Sequence, residues 1–171
     1  TVYNTLLFIG KDGQVMGRHR KTMPTYTERI YWGKGDASDI RVFDTDIGRI
    51  GGLICWENHM TLIRAAMIHK GEDFHIAVWP GNWKRGEKQL LDADTSPEGA
   101  LCNLQSLIKV HAFEAGAFVL SACGFLTPED FPKRWHYIRD GNHINYGWAQ
   151  GGSSVVNPAG RYLVEPNFEK D

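Results

Sequence analysis

Cys55 is the residue of this chain whose type and position best suit nucleophilic chemistry. It follows the apolar run 50–54 and precedes a stretch in which apolar residues recur at helical spacing. Free N–H groups at the start of a helix attract anions and lower the pKa of a thiol. A cysteine at a strand-to-helix turn is therefore a candidate thiolate nucleophile. The alternative is a small buried core residue, a role that free cysteine often has.

Two charged residues upstream could assist such a thiolate. Lys21 follows a predicted strand, and its ammonium could stabilise the thiolate or donate to charge that develops on the substrate. Glu28 lies in the next loop and could orient the amine or relay protons. The alternatives are a solvated lysine in the basic cluster 18–21 and a surface ion pair between Glu28 and Arg29.

The residues near Cys55 and the other two cysteines are expected to have supporting or structural roles. Glu57 is expected to complement the dipole of the predicted helix. His59 is the one nearby histidine and is expected to shape a pocket or face solvent, although a Cys–His pair is an alternative. Cys102 and Cys123 are interpreted as structural. The histidines of the aromatic segment 127–152 show no metal-ligand spacing, and no metal site is predicted.

Composition excludes several classes of protein. The 171 residues are enough for one domain with a hydrophobic core, and 42% of them are hydrophobic. The net charge of −1 argues against a nucleic-acid binder or a polybasic membrane surface. No apolar run approaches the ~18 residues of a membrane-spanning helix. Three cysteines argue against a disulfide framework, so we expect a reduced cytoplasmic protein.

The order of predicted elements indicates a layered α/β sheet protein. A hairpin opens the chain, and further strands alternate with two helices. In each helix the apolar residues lie on one face. The predicted strands cover 6–9, 15–18, 40–45, 49–56, 74–79, 117–123, 153–157 and 161–164. The predicted helices cover 57–70 and 100–115. Long loops are expected over 21–39 and 127–152, and loops of this length are usually functional.

Five segments together resemble the nitrilases, in the order in which that family carries them. The run Gly-Gly-Leu-Ile-Cys-Trp-Glu-Asn at 51–58 is similar to the nitrilase nucleophile segment, and 20–36 is similar to its lysine segment. The segments 78–81, 111–115 and 151–160 also resemble the family. The likeness spans nearly all of the chain. Its Cys-Trp-Glu run favours the nitrile-hydrolysing branch over the amidase and carbamoylase branches.

The resemblance implies an αββα four-layer sandwich, with residues 1–171 forming part of a single carbon-nitrogen hydrolase domain. It assigns Cys55 as the nucleophile, Lys21 as the transition-state stabiliser and Glu28 as a second, supporting glutamate. The Trp56 N–H is expected to complete an oxyanion-type site. The residues assigned to the substrate pocket and this oxyanion site are Trp56, Glu57, His59, Trp79 and Pro80.

The resemblance also implies chemistry and partners. A nitrile would be hydrolysed to the acid and ammonia through thioimidate and thioester intermediates, without metal or cofactor. The general-base glutamate is expected upstream of residue 1, so we expect the chain to be a fragment. Homo-oligomers are expected, namely dimers that extend into spirals or filaments. The alternatives are a cyanide dihydratase, an amidase of the same superfamily and a non-catalytic scaffold. Trp135 to Trp148 could supply either subunit contacts or pocket walls.

Overall fold

The computed structural model describes residues 1–80, 97–126, 130 and 151–168, except for the side chains of 97–103 and 168. Residues 127–129 and 131–150 of the aromatic segment, with both of its histidines, lie outside the described residues, and so does the side chain of Cys102. The strands are β1 (Val2–Tyr3), β2 (Thr5–Ile9), β3 (Val15–Arg20), β4 (Trp32–Gly33), β5 (Phe43–Thr45), β6 (Gly48–Ile54), β7 (Phe74–Trp79), β8 (Phe118–Cys123), β9 (Gly151–Val156) and β10 (Tyr162–Phe168). The α-helices are α1 (Thr61–His69) and α2 (Pro97–Ala115).

Six strands form the central sheet, in the order β10-β9-β8-β7-β6-β5. Strands β6, β7 and β8 are parallel, and antiparallel strands flank them on both sides. Ile54 pairs with Val78, and Trp79 pairs with Cys123. The carboxyl ends of the three parallel strands therefore meet at one edge of the sheet, where α/β proteins commonly bind ligands.

The two faces of this sheet are covered by different elements. A side-chain carbon at Gly51 would meet Met67 of α1, whereas one at Gly52 would meet Leu6 of β2. The helices thus cover one face and the β2–β3 hairpin covers the other. Residues from three strands and α2 form the main core cluster, which comprises Ala77, Trp79, Leu104, Ile108, Ala112, Val119 and Val156. The α/β sandwich predicted from the sequence is confirmed.

The predicted hairpins and the strand at 74–79 agree with the structure, but the segment around Cys55 differs. The strand predicted to reach residue 56 ends at Ile54, and residues 55–59 form a 3-10 helix instead of the first turn of an α-helix. The α-helix begins only at Thr61. Cys55, directly after β6, has a left-handed backbone conformation that changes the direction of the chain. The short 3-10 helix then connects the sheet to α1.

The loop predicted over 21–39 contains regular structure of its own. Residues 26–30 and 37–39 form 3-10 helices, and β4 pairs in parallel with β1. Helix α2 begins at Pro97, three residues before the predicted start. Within the described residues, no helix combines the length and apolar character needed to cross a bilayer.

Candidate active site

Cys55 occupies the bend between β6 and the following 3-10 helix. Its φ of 54° is left-handed, a conformation that costs a non-glycine residue roughly 1–3 kcal/mol. The bend turns the half-buried side chain into an open cavity of about 350 Å³. Glu28, Trp79 and Pro80 also line this cavity. Three of the predicted site residues therefore share one cavity with the predicted nucleophile.

The thiol of Cys55 is not held as a low-pKa thiolate. Burial raises its pKa above the ordinary value, while the charge of Lys21 and the Trp56 N–H lower it without offsetting burial. The sequence-based expectation of a lowered pKa is wrong on this point. The helix that follows is a five-residue 3-10 helix, and the apolar surroundings favour the neutral thiol.

Lys21 and Glu28 form an ion pair beside the cavity. The Lys21 side chain is fully buried, and its Nζ lies 2.6 Å from Glu28 Oε2 and 2.9 Å from Thr25 Oγ1. Thr25 also donates its backbone N–H to Glu28 at 2.6 Å. The alternative of a solvated surface lysine is wrong, since β3 alternates its residues and turns Lys21 to the interior with His19.

Glu57 lies in a buried network and is not among the described residues that line the cavity. Its Oε1 accepts hydrogen bonds from the Thr22 N–H and hydroxyl, both at 2.7 Å. Its Oε2 accepts from the Ile54 N–H at 2.9 Å and lies 2.8 Å from His19 Nε2. The carboxylate therefore ties the end of β6 to the segment that follows β3, instead of only complementing a helix dipole.

The aromatic residues assigned to the pocket lie together. The rings of Trp56 and His59 stack with centroids 4.3 Å apart, and His59 meets Trp79 edge-on at 6.0 Å. Burial and the charge of Arg64 lower the pKa of His59. Trp79 is buried, and its Nε1–H donates to Ser121 Oγ at 3.1 Å. The described contacts of His59 include these two rings. No described contact joins His59 to the Cys55 thiol.

Sequence reasoning missed a second buried polar network behind Cys55. Asn58 bonds to the turn itself, His75 bonds to Asn58, and Glu72 lies between His75 and His111. Donor and acceptor atoms of Glu72, His75 and His111 all lie within 4.8 Å of one another. The otherwise apolar run at 74–79 is the sequence signal that could have placed His75 inside, because such a strand is buried on both faces.

The amino-acid sequence identifies the family to which this chain belongs. The whole chain, residues 1–171, matches the family described as carbon-nitrogen hydrolase. The chain therefore belongs to the carbon-nitrogen hydrolase family. It superposes on the crystal structure of a carbon-nitrogen hydrolase from Helicobacter pylori G27 with a TM-score of 0.72 and 21% identity, covering 99% of this chain and 53% of that one.

Within this family, the chain is similar to plant nitrilases. It is 39% identical to Nitrilase 2 of Arabidopsis thaliana over 175 residues, which cover 100% of this chain and 46% of that protein. It is 38% identical to the bifunctional nitrilase/nitrile hydratase NIT4A of Lupinus angustifolius over 173 residues, which cover 99% of this chain and 44% of that protein. The resemblance drawn from the sequence motifs is confirmed. The chain spans about half the length of the curated relatives it matches.

Proposed function

We propose that the protein hydrolyses a nitrile to a carboxylic acid and ammonia, with Cys55 as the nucleophile. The observation that carries this proposal is the shared cavity, in which the Cys55 side chain faces a space also lined by Glu28. That carboxylate holds the buried Lys21 ammonium in place. The similarity to plant nitrilases supports a nitrile as the substrate class.

The first step is the addition of Cys55 Sγ to the nitrile carbon. The sulfur forms a bond to carbon, one π bond of the nitrile breaks, and nitrogen takes up the proton that the thiol loses. Because burial keeps the resting thiol protonated, the proton leaves as the bond forms. Negative charge that develops on nitrogen can be stabilised by Lys21 and by the Trp56 N–H. The product of this step is a thioimidate.

Two water molecules complete the reaction. The first adds to the thioimidate carbon and expels ammonia, which leaves a thioester; the second hydrolyses the thioester and restores the thiol. Both steps need a general base. Glu28 Oε2 accepts hydrogen bonds from Lys21 and from Thr25, an arrangement that suits a supporting role. The base itself stays assigned, by resemblance, to a glutamate upstream of residue 1.

Lys21 retains capacity for the substrate. An ammonium has three N–H donors, and two of them are directed to Thr25 and Glu28. Within the part of the chain that the structure describes, no third acceptor contacts Nζ. The remaining donor is the one we assign to the nitrile nitrogen.

The test is the release of ammonia, acid and amide from a panel of nitriles, cyanide and amides by the protein at its natural length. Cys55→Ala should abolish release, whereas Cys123→Ala, the matched loss of a neighbouring thiol, should retain it. Release from cyanide alone would identify a cyanide dihydratase, and release from amides alone an amidase. Activity that survives Cys55→Ala would refute the mechanism. No release from any compound would favour a non-catalytic scaffold.

Assembly and location stay predictions from the resemblance. We propose homo-oligomers built from dimers that extend into spirals or filaments, and a cytoplasmic protein that binds neither nucleic acid nor membrane. Light scattering after size exclusion tests the first proposal, because a monomer at every concentration would refute it. The single partial domain over 1–171 and the absence of a metal or cofactor requirement also stay predictions.

A further inference from the structure

We propose that Asn58 is a positioning residue that holds the Cys55 turn in its reactive conformation, and that His75 fixes the orientation of the Asn58 amide. Asn58 is buried and donates from Nδ2 to the Cys55 carbonyl at 3.0 Å and to the Leu53 carbonyl at 3.3 Å. These carbonyls lie on either side of the Ile54–Cys55 bend. This inference deepens the proposed function, because it concerns the same nucleophile.

The orientation of the Asn58 amide follows from its neighbours. Carbonyl oxygens only accept hydrogen bonds, so the amide NH₂ must face Leu53 and Cys55. Its oxygen therefore faces His75 Nε2, 2.9 Å away, and that nitrogen must carry a hydrogen. A reversed amide would set oxygen against the two carbonyls and would leave the His75 donor without an acceptor.

Glu72 holds the other ring nitrogen of His75. His75 Nδ1 lies 2.9 and 3.0 Å from the two Glu72 oxygens, so one proton is shared between this nitrogen and the carboxyl group. His111 Nε2 lies 2.7 Å from Glu72 Oε1 and can donate to it. The network thus runs from helix α2 through Glu72 and His75 to the turn that carries Cys55.

The same atoms could alternatively hold a metal ion, because Glu72, His75 and His111 place their donor atoms within 4.8 Å of one another. We favour the hydrogen-bonded network for two reasons. The described contacts between these side chains, at 2.7 to 3.0 Å, have hydrogen-bond lengths. The network also accounts for every polar atom of the Asn58 side chain.

The test measures the alkylation rate of Cys55 by iodoacetamide against pH, by site-resolved mass spectrometry on the protein at its natural length. Asn58→Leu should release the turn, which changes both the burial that raises the pKa of the thiol and its distance from the Trp56 N–H and the Lys21 charge that lower it, so the alkylation profile should move along the pH axis. Each unit of displacement should change the alkylation rate at pH 7 about tenfold. His75→Phe should shift the alkylation profile in the same direction. If Asn58→Leu fails to fold, His75→Phe alone tests the positioning role.

Two further variants separate positioning from general stability. In Glu72→Gln, the new amide can donate to neutral His75 Nδ1 and accept from His111, so the alkylation profile should stay at the wild-type position. Gln105→Leu removes a buried polar group of α2 that bonds to Tyr162, outside the network. It should leave the Cys55 profile at the wild-type position, whatever its effect on the melting temperature.

Several outcomes would overturn the inference. One is an unchanged Cys55 profile in folded Asn58→Leu or His75→Phe. A second is a profile shift in Gln105→Leu as large as in those variants. A third is a stoichiometric divalent metal that is lost in Glu72→Gln. Alkylation needs no nitrile turnover, so shifted profiles in a protein that releases no ammonia would refute the proposed function alone.

Discussion

Replacing Glu57 with Gln tests how the end of β6 is held. The substitution removes a buried charge and turns one acceptor oxygen into an NH₂ donor. Each oxygen accepts from one backbone N–H, Oε1 from Thr22 and Oε2 from Ile54. The Thr22 hydroxyl can rotate and neutral His19 can accept, but a backbone N–H cannot change role. Either orientation of the new amide therefore sets one buried N–H against a donor.

The cost follows from that count. One buried donor without an acceptor costs about 1–3 kcal/mol, and this is the loss of unfolding free energy expected for Glu57→Gln. Glu57→Ala removes both acceptors and leaves His19 without its partner, so about 3–5 kcal/mol is expected. Urea denaturation at pH 6 measures both. Glu165→Gln, on the exposed surface of β10, is the control and should stay within about 0.5 kcal/mol of wild type.

The pH dependence of this loss has a definite sign. Burial acts to raise the pKa of Glu57, but bonds from His19 and Thr22 lower it below 4.5 overall. Its stabilisation is present above pH 4.5 and disappears as pH falls through the lower folded value. Burial acts to lower the pKa of His19, but Glu57 raises it above 6.5 overall. That stabilisation is present below pH 6.5 and disappears as pH rises through the higher folded value.

Glu57→Gln should therefore reduce the decline in stability that wild type shows above pH 6.5, because His19 loses the carboxylate that raises its pKa. The difference between the two proteins isolates this pair from the other histidines. A variant that unfolds at the wild-type urea concentration, with the wild-type slope above pH 6.5, would refute the assigned network.

Three further substitutions or measurements probe the site and its support. Lys21→Met removes the charge that lowers the pKa of Cys55, so alkylation should shift to higher pH and ammonia release should be lost. Gly51→Ala places a methyl group against the Glu72 carboxylate and should cost about 1–3 kcal/mol in urea denaturation. Burial raises the pKa of Cys123 to about 11, so only about 0.1% is thiolate at pH 8 and iodoacetamide should label Cys55 before Cys123.

The sequence was informative where periodicity is strong. The predicted strand at 74–79 has the bounds of β7, and the apolar stripe located α1. Periodicity could not place Lys21 inside, because residues 18–21 are all basic and their sequence does not show which face of the strand is buried. The local bend at Cys55 carried no such signal, since cysteine has no preference for a left-handed backbone.

The two buried networks could not be derived from the sequence. His19 and Glu57 are 38 residues apart, and Glu72 and His111 are 39 apart. Their contacts depend on the order of strands in the sheet and on the depth at which α2 packs. Glu57 follows Cys55 so closely that a local role at the helix start was the natural interpretation. The Ile54 N–H is such a local partner, but His19 and Thr22 come from another layer of the sandwich.

The Cys55 turn is held from two sides by groups of opposite hydrogen-bonding character. Glu57 supplies acceptors to the Ile54 N–H, and Asn58 supplies donors to carbonyls on both sides of the bend. A strained residue persists only where its surroundings determine its conformation. Here one buried carboxylate acts directly and the other, Glu72, acts through His75, so the position of the thiol depends on side chains that never enter the cavity. Substitutions outside the cavity are therefore expected to change the alkylation profile of Cys55 while the Lys21–Glu28 pair stays intact.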